Sequence, residues 1–306
     1  MKRILITGGS GTVGSAFIKN YYDRYRFGSV SRNERLQHEL KNTFPDVDIY
    51  IGSVEDELAL SRIVGKFMPD IIIHSAAMKH VNLAETNPTQ ALKVNIIGSL
   101  NVVKSVIKFR IPITVGISTD KACEPTSVYG MTKVLMEKIF MEHNSFTSKF
   151  VICRFGNVAF SNGSILPFWM GLKKEGKPLP ITDPRMRRFF FSKKDAAELI
   201  HAAIDLCGDG GSILIKKLRT VFMIDLAKKI SSDVQMVGRR PGEKLNEGLV
   251  SLSEISYSRD LGDNIKIFGV PTAVGDRLSC PYNTKTAKPM ADEEMEALLN
   301  EVCCAG

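Results

Sequence analysis

Residues 7–14 read Thr7-Gly8-Gly9-Ser10-Gly11-Thr12-Val13-Gly14, between a short apolar run at 4–6 and an amphipathic stretch that continues to residue 24. Gly8, Gly11 and Gly14 fall in a G-x-x-G-x-x-G spacing at a strand-to-helix junction. The first glycine permits a tight turn, the second lets the backbone approach a pyrophosphate, and the third lets helix and strand pack closely. The opening helix turn adds unpaired N–H groups and a partial positive charge. The glycine spacing alone also suits a bare turn, so its surroundings decide the reading.

Those surroundings repeat one rhythm. Apolar runs at 4–7, 48–51, 70–74, 113–118 and 150–154 alternate with longer amphipathic stretches at 12–24, 55–67, 87–109 and 127–144. This is βαβ patterning, and strands apolar along their whole length suit a parallel sheet covered by helices on both faces. The sequence therefore predicts an α/β fold with a doubly wound parallel sheet of Rossmann type, residues 1–158 forming a dinucleotide-binding domain. Beyond it, glycines and prolines from Gly163 to Pro184 break the pattern, and helical periodicity returns at 193–205 and 221–230. Residues 159–306 are expected to form mainly a smaller α/β substrate lobe, with elements at about 187–231 returning to the first domain. The tail at 292–302 reads as a short helix opened by acidic residues.

Composition narrows the class. The chain has 306 residues, 44% hydrophobic and 24% charged, which excludes disorder and collagen-like folds. Its net charge of +8 is spread along the sequence, favouring anionic ligands without specifying nucleic acid. No apolar run approaches the roughly 20 residues that cross a bilayer, so a cytoplasmic protein without membrane or signal segment is expected. The six cysteines show no C-x-x-C pair. They read as thiols, and no metal site is expected.

The second strand, near 27–31, ends in Ser31-Arg32-Asn33. An NAD site usually places an acid there for the ribose 2′-hydroxyl, whereas Ser31 and Arg32 suit a 2′-phosphate, so NADP is the expected cofactor. Further along, Tyr129 and Lys133 stand four apart at the start of a helix, after the strand end Ser118-Thr119-Asp120-Lys121. That spacing puts both on one face, where an ammonium can lower the phenol pKa and Tyr129 can take a proton from a sugar hydroxyl.

Taken together, these motifs resemble the extended short-chain dehydrogenase/reductase superfamily. Within it, Ser118–Ala122, Pro125, Ser127-Val128-Tyr129-Gly130, Ala76-Ala77-Met78-Lys79-His80-Val81, Arg154–Val158, Ile181–Met186 and Gly238–Lys244 are similar to the nucleotide-sugar 4,6-dehydratases acting on UDP-N-acetylglucosamine, particularly the C5-inverting enzymes of the polysaccharide-biosynthesis group. The resemblance runs from the first strand to Tyr282-Asn283. It implies oxidation at C4, elimination across C5–C6 and hydride return to C6, with Lys121 as base at C5 and Asp120 as acid for the departing hydroxyl. Lys121 would then need a pKa depressed by burial or by Lys133. The resemblance places Thr7, Gly8, Gly9, Ser10, Gly11, Gly14, Ser31, Arg32, Ser53, Val54, Ala76, Lys79, Tyr129 and Lys133 at the cofactor. It places Lys79, Ser118, Thr119, Asn157, Arg240 and Glu243 at the UDP-sugar, Arg240 on the diphosphate and Glu243 on the ribose. It also implies a homo-oligomer.

Four positions depart from the family pattern: Ser53 replaces an Asp, Asn246 replaces a His, and Lys216-Lys217 replaces a proline-marked turn. His74 and His80 read as structural histidines. Phe189–Phe191, although beside Arg187 and Arg188, reads as a buried strand and not as a stacking platform for nucleic acid, which is not an expected partner. A UDP-sugar 4-epimerase or a non-catalytic NADP-sensing protein of the same fold are the alternatives.

Overall fold

The computed structural model describes residues 1–240, 242–270 and 275–300; Pro241, Cys303, Cys304 and the end of the expected tail helix lie outside the described residues. Strands β1 (Arg3–Thr7), β2 (Arg26–Ser31), β3 (Asp48–Ile51), β4 (Ile71–His74), β5 (Ile113–Thr119) and β6 (Lys149–Phe155) lie side by side in the order β3-β2-β1-β4-β5-β6, all parallel. Between them run α1 (Thr12–Tyr21), α2 (Glu34–Thr43), α3 (Glu57–Phe67), α4 (Val81–Thr86), α5 (Pro88–Leu92), α6 (Gly98–Phe109) and α7 (Val128–Glu142). Strand order reverses between β1 and β4, so a crevice opens at the carboxyl ends of those strands, where sheets of this kind bind ligands. Ile4, Leu5, Ile6, Ile71, Ile72 and Ile73 are all buried, because helices cover both faces; that is why these runs do not alternate.

Helix starts follow from local chemistry. The side chains of Asn33, Asp56 and Ser127 accept from the backbone N–H groups of Leu36, Ala59 and Gly130, fixing the first turns of α2, α3 and α7. At α1 the N-cap is Gly11, which brings no side-chain cap, and the first turn holds no acid. The unpaired N–H groups of that turn are left for a ligand.

The second half of the chain serves two cores. Strand Ser212–Lys216 pairs in parallel with β6, and Asn264–Phe268, Ser258–Leu261 and Asp276–Arg277 then extend the same sheet antiparallel to ten strands. Helix Lys193–Asp205 packs on α1, whereas Met223–Ile230 joins Trp169, Leu166, Leu179 and Ile181 in a separate apolar cluster. Strand Arg187–Phe191 ties the two together. Successive side chains of a strand face opposite ways, so Phe189 and Phe191 enter the main core while Phe190 enters the second cluster. All three rings are buried, as the sequence predicts. Among the described residues no helix is long and apolar enough to cross a membrane.

His74, at the end of β4, is a core residue. Ser99 Oγ donates to the Asn95 carbonyl at 2.6 Å and so accepts from His74 Nε2–H at 3.1 Å, leaving Nδ1 to accept from Thr7 Oγ1 at 2.8 Å. Burial, helped by Lys133, pushes the imidazole down to about 3 from its ordinary 6.5. The unfolded chain therefore binds this proton first as pH falls. The contribution of neutral His74 is complete above pH 6.5 and is lost as pH drops toward about 3. The unfolding free energy of the wild type, from urea titration, should fall through that window by up to about 1.4 kcal/mol per pH unit from this residue. His74→Gln should flatten that part of the slope; an unaltered slope would contradict the assignment.

Candidate active site

The glycine loop forms a cradle at the end of β1. Gly8 has φ +75°, and a Cβ there would meet the Ala76 backbone nitrogen at 2.9 Å. A Cβ on Gly14 would lie 2.6 Å from Gly9 Cα, so α1 can rest on the loop only with glycine at both places. Ser10 Oγ is buried in this cradle without a hydrogen-bond partner. An orphan hydroxyl beside uncapped helix N–H groups fits the pyrophosphate of a dinucleotide. Ser31, Arg32, Ser53, Val54, Ala76 and Lys79 line the same cleft, whose volume is about 980 Å³. Thr7 is buried outside the cleft lining, bonded to His74. At the rim, Arg32 pairs with Glu55 at 3.4 Å, and Ser53 Oγ donates to the same carboxylate at 2.9 Å. Ser53 is thus engaged by a neighbouring carboxylate.

The carboxyl end of β5 supplies the reactive groups. A single 3-10 turn, Asp120–Ala122, starts under a Thr119 cap, and Asp120 is fully buried beneath Lys121. Asp120 Oδ1 accepts from Lys121 Nζ at 3.0 Å and from Thr119 Oγ1 at 2.9 Å, while Oδ2 is buried with no partner. Tyr129, Lys133, Thr119 and Lys121 line the cleft next to the cradle.

Electrostatics here differ from the sequence expectation. Burial does push Lys121 down, but the Asp120 carboxylate and buried Glu247 outweigh it, so its pKa is raised, not depressed. Lys133 is the lysine with the lowered value: burial takes it to about 8 against the pull of Glu137, and its Nζ donates to the Ile117 carbonyl at 2.7 Å. Tyr129 is pushed up to about 12 by burial; the ammonium that draws it back is that of Lys121, aided by Thr119. The phenol is therefore not activated by Lys133.

The substrate side divides as well. Lys79, Thr119, Asn157, Arg240 and Glu243 face the cleft, with Lys79 and Arg240 exposed at its mouth. Partial desolvation pulls the Lys79 ammonium down. Asn157 Nδ2 donates to the Phe189 carbonyl at 2.9 Å. Ser118 lines the cleft too, but its hydroxyl donates to buried Glu137 at 2.6 Å. His80 also differs. It stands exposed at the cleft mouth, against Gly163, and is not a buried structural histidine.

Compared with known proteins, residues 4–268 match the model of the polysaccharide biosynthesis protein family. The chain belongs to that family. Within its wider kin, a Campylobacter jejuni (serotype O:2) protein named UDP-N-acetylglucosamine 4,6-dehydratase (inverting) is 37% identical over 262 residues, 82% of this chain and 78% of that protein. A Rickettsia canadensis protein named UDP-glucose 4-epimerase is 32% identical over 284 residues, 87% of this chain and 82% of that protein. The X-ray structure of Pen from Bacillus thuringiensis superposes with a TM-score of 0.90 at 28% identity, covering 99% of this chain and 97% of that one. The fold of this polysaccharide biosynthesis protein is the extended short-chain dehydrogenase/reductase fold expected from its sequence, with a C-terminal lobe.

Two charged side chains of this family member enter the cleft without having been marked by the sequence. Arg188, 8% exposed, shares the strand face of Phe190 and donates to the carbonyls of Arg187, Lys244 and Leu245. Glu247 is 4% exposed and reaches the site because strand Gly248–Val250 packs against the 120–122 turn. Their only sequence signal is charge inside stretches otherwise destined for burial.

Proposed function

We propose that the protein is an NADP-dependent UDP-N-acetylglucosamine 4,6-dehydratase, a hydro-lyase that inverts C5 and makes a 4-keto-6-deoxy hexosamine for a surface glycan. The observation that carries this reading is the Asp120–Lys121 pair, 3.0 Å apart, with Asp120 fully buried and Lys121 half-buried in the cleft that also holds Tyr129 and the glycine cradle. A 4-epimerase has no use for an acid and a base beside C5 and C6. The name of the Rickettsia relative keeps that second reading in view.

When bound, NADP supplies the acceptor for a hydride from C4 and its later donor to C6. Tyr129, deprotonated under the pull of the Lys121 ammonium and the Thr119 hydroxyl against a pKa raised by burial, takes the C4 hydroxyl proton. The ketone so formed makes C5–H acidic, since the carbanion becomes an enolate. The resting Asp120–Lys121 ion pair already contains the one proton the next step needs. Its transfer from Nζ to the carboxylate leaves a neutral amine to take the C5 proton and a neutral acid to protonate the C6 hydroxyl, which departs as water. A solvent-derived proton is then delivered to C5, while Lys121 keeps the proton it took, so the Asp120–Lys121 ion pair is restored; Tyr129 releases one proton to solvent, and product equals substrate less water. Arg240 suits the diphosphate because a guanidinium fork can hold two oxygens, and Glu243 can accept from the uridine ribose. Arg32, 62% exposed at the rim, suits a 2′-phosphate.

Incubation with UDP-N-acetylglucosamine and NADP in heavy water tests the proposal. Mass spectrometry should show loss of one water, and NMR a new C6 methyl and deuterium at C5, with ring couplings reporting inversion. A C4 epimer of unchanged mass would overturn it in favour of the epimerase, and equal turnover with NAD would overturn the cofactor assignment.

A further inference from the structure

Glu247 sits where an ordinary structural role does not explain it. The backbone alone holds its segment: Glu247 N donates to Thr284 Oγ1 at 3.2 Å, and the Glu247 carbonyl accepts from Thr284 N at 2.9 Å. The carboxylate contributes nothing to that anchoring. It is nonetheless 4% exposed, and its Oε2 is buried with no hydrogen-bond partner. Its Oε1 lies 4.0 Å from Arg188 Nη2, beyond hydrogen-bond reach, and that guanidinium already donates to three carbonyls and lies 3.8 Å from Glu243. A buried carboxylate left this way is costly unless its charge is used nearby. The groups that act on it electrostatically are Lys121, Asp120, Arg188 and Lys244. Lys244 is engaged elsewhere, donating to the carbonyls of Cys123 and Glu124.

Glu247 and Lys121 line the same cleft, where strand Gly248–Val250 packs on the 120–122 turn, and from this juxtaposition we propose that Glu247 is a positioning residue for Lys121, acting with Asp120 to bracket its ammonium between the end of β5 and the 247–250 segment until substrate enters. The inference rests on the reading of Lys121 as the C5 base. It adds that the base is guarded by two carboxylates from distant parts of the chain, each with one oxygen left unpartnered. In the resting cleft this arrangement keeps Lys121 from acting as an unprotected amine. A substrate hydroxyl that engages either vacant oxygen would weaken the bracket and release the amine only when its target is in place. Glu247 acts on the protonation of Lys121 whether or not turnover follows.

Lysine protonation can be read directly in the full-length protein by competitive labelling with acetic anhydride across pH, Lys121 being followed by peptide mass spectrometry. In Glu247→Gln the labelling midpoint of Lys121 should fall by about one pH unit, because a nearby negative charge that favours the ammonium is gone. In Glu247→Asp, whose carboxylate is retained but withdrawn, it should fall by less; this variant carries the test if the first does not fold. Wild-type midpoints in both variants would overturn the inference, whatever the enzyme's turnover. A lowered midpoint in a protein whose wild type never removes water would support the bracket while sinking the dehydratase reading.

Discussion

Lys121→Ala will bind NADP as the wild type does and will lose dehydration by about a thousandfold, in line with removal of a positioned general base. Cofactor affinity is spared because the side-chain bond of Lys121 runs to Asp120, while the glycine cradle and its orphan Ser10 hydroxyl are built from other residues. The C5 proton loses its acceptor, so heavy-water incubation should leave C5 undeuterated and C6 unreduced. Asp120→Asn separates the two roles. It keeps the amine and removes the acid, so C5 should still exchange with solvent deuterium while water loss falls steeply. Because the Asp120 carboxylate helps raise the Lys121 pKa, its removal should also move the alkaline limb of that exchange to lower pH. Full dehydration by Lys121→Ala, measured by isothermal titration for NADP and mass spectrometry for product, would refute the assignment of the base.

How much of this site is legible in the sequence depends on how local each feature is. The glycine loop, the Asp120-Lys121 dipeptide and the Tyr129–Lys133 pair are short-range patterns whose geometry follows from a strand end or one helix turn. They fall where the pattern says. What stays hidden arrives over long sequence distances. Glu247 reaches the site only because strand Gly248–Val250 packs on the 120–122 turn, and its charge adds to that of Asp120 in raising the Lys121 pKa. The Ser118 hydroxyl is held inward because Glu137, two helical turns beyond Tyr129, waits in the core. The antiparallel strands at 258–277 extend the main sheet although the sequence gives that region no run as apolar as β1 or β4. Their half-exposed, edgeward position removes the need for one.

The other large effect concerns stability. Arg154→Met should cost about 3–5 kcal/mol, the usual penalty for removing one partner from a buried ion network. Arg154 is 3% exposed on β6 and clamps two acids at once. Its Nε and Nη2 donate to Glu137 at 2.9 and 2.7 Å, its Nη1 and Nη2 to Glu254 at 3.0 and 2.7 Å, and Nη1 also to the Leu249 carbonyl at 2.9 Å. Glu137 is almost wholly buried and would be left with the Ser118 hydroxyl alone, while Glu254 would keep only the Ser251 cap. Arg154→Lys should rescue little, since one ammonium cannot reproduce a double fork. Replacing Arg154, Glu137 and Glu254 together by apolar residues of similar volume should recover most of the loss, because no uncompensated charge then remains buried. Urea denaturation of the three variants checks this, and a single-variant loss below about 1 kcal/mol would show that the network is solvated after all. The clamp also fixes chemistry at a distance. It joins the β5 end through Ser118 to the 249–254 segment next to Glu247, so a variant that folds with a slack clamp should lose activity in proportion to the misplacement of Lys121 between its two carboxylates.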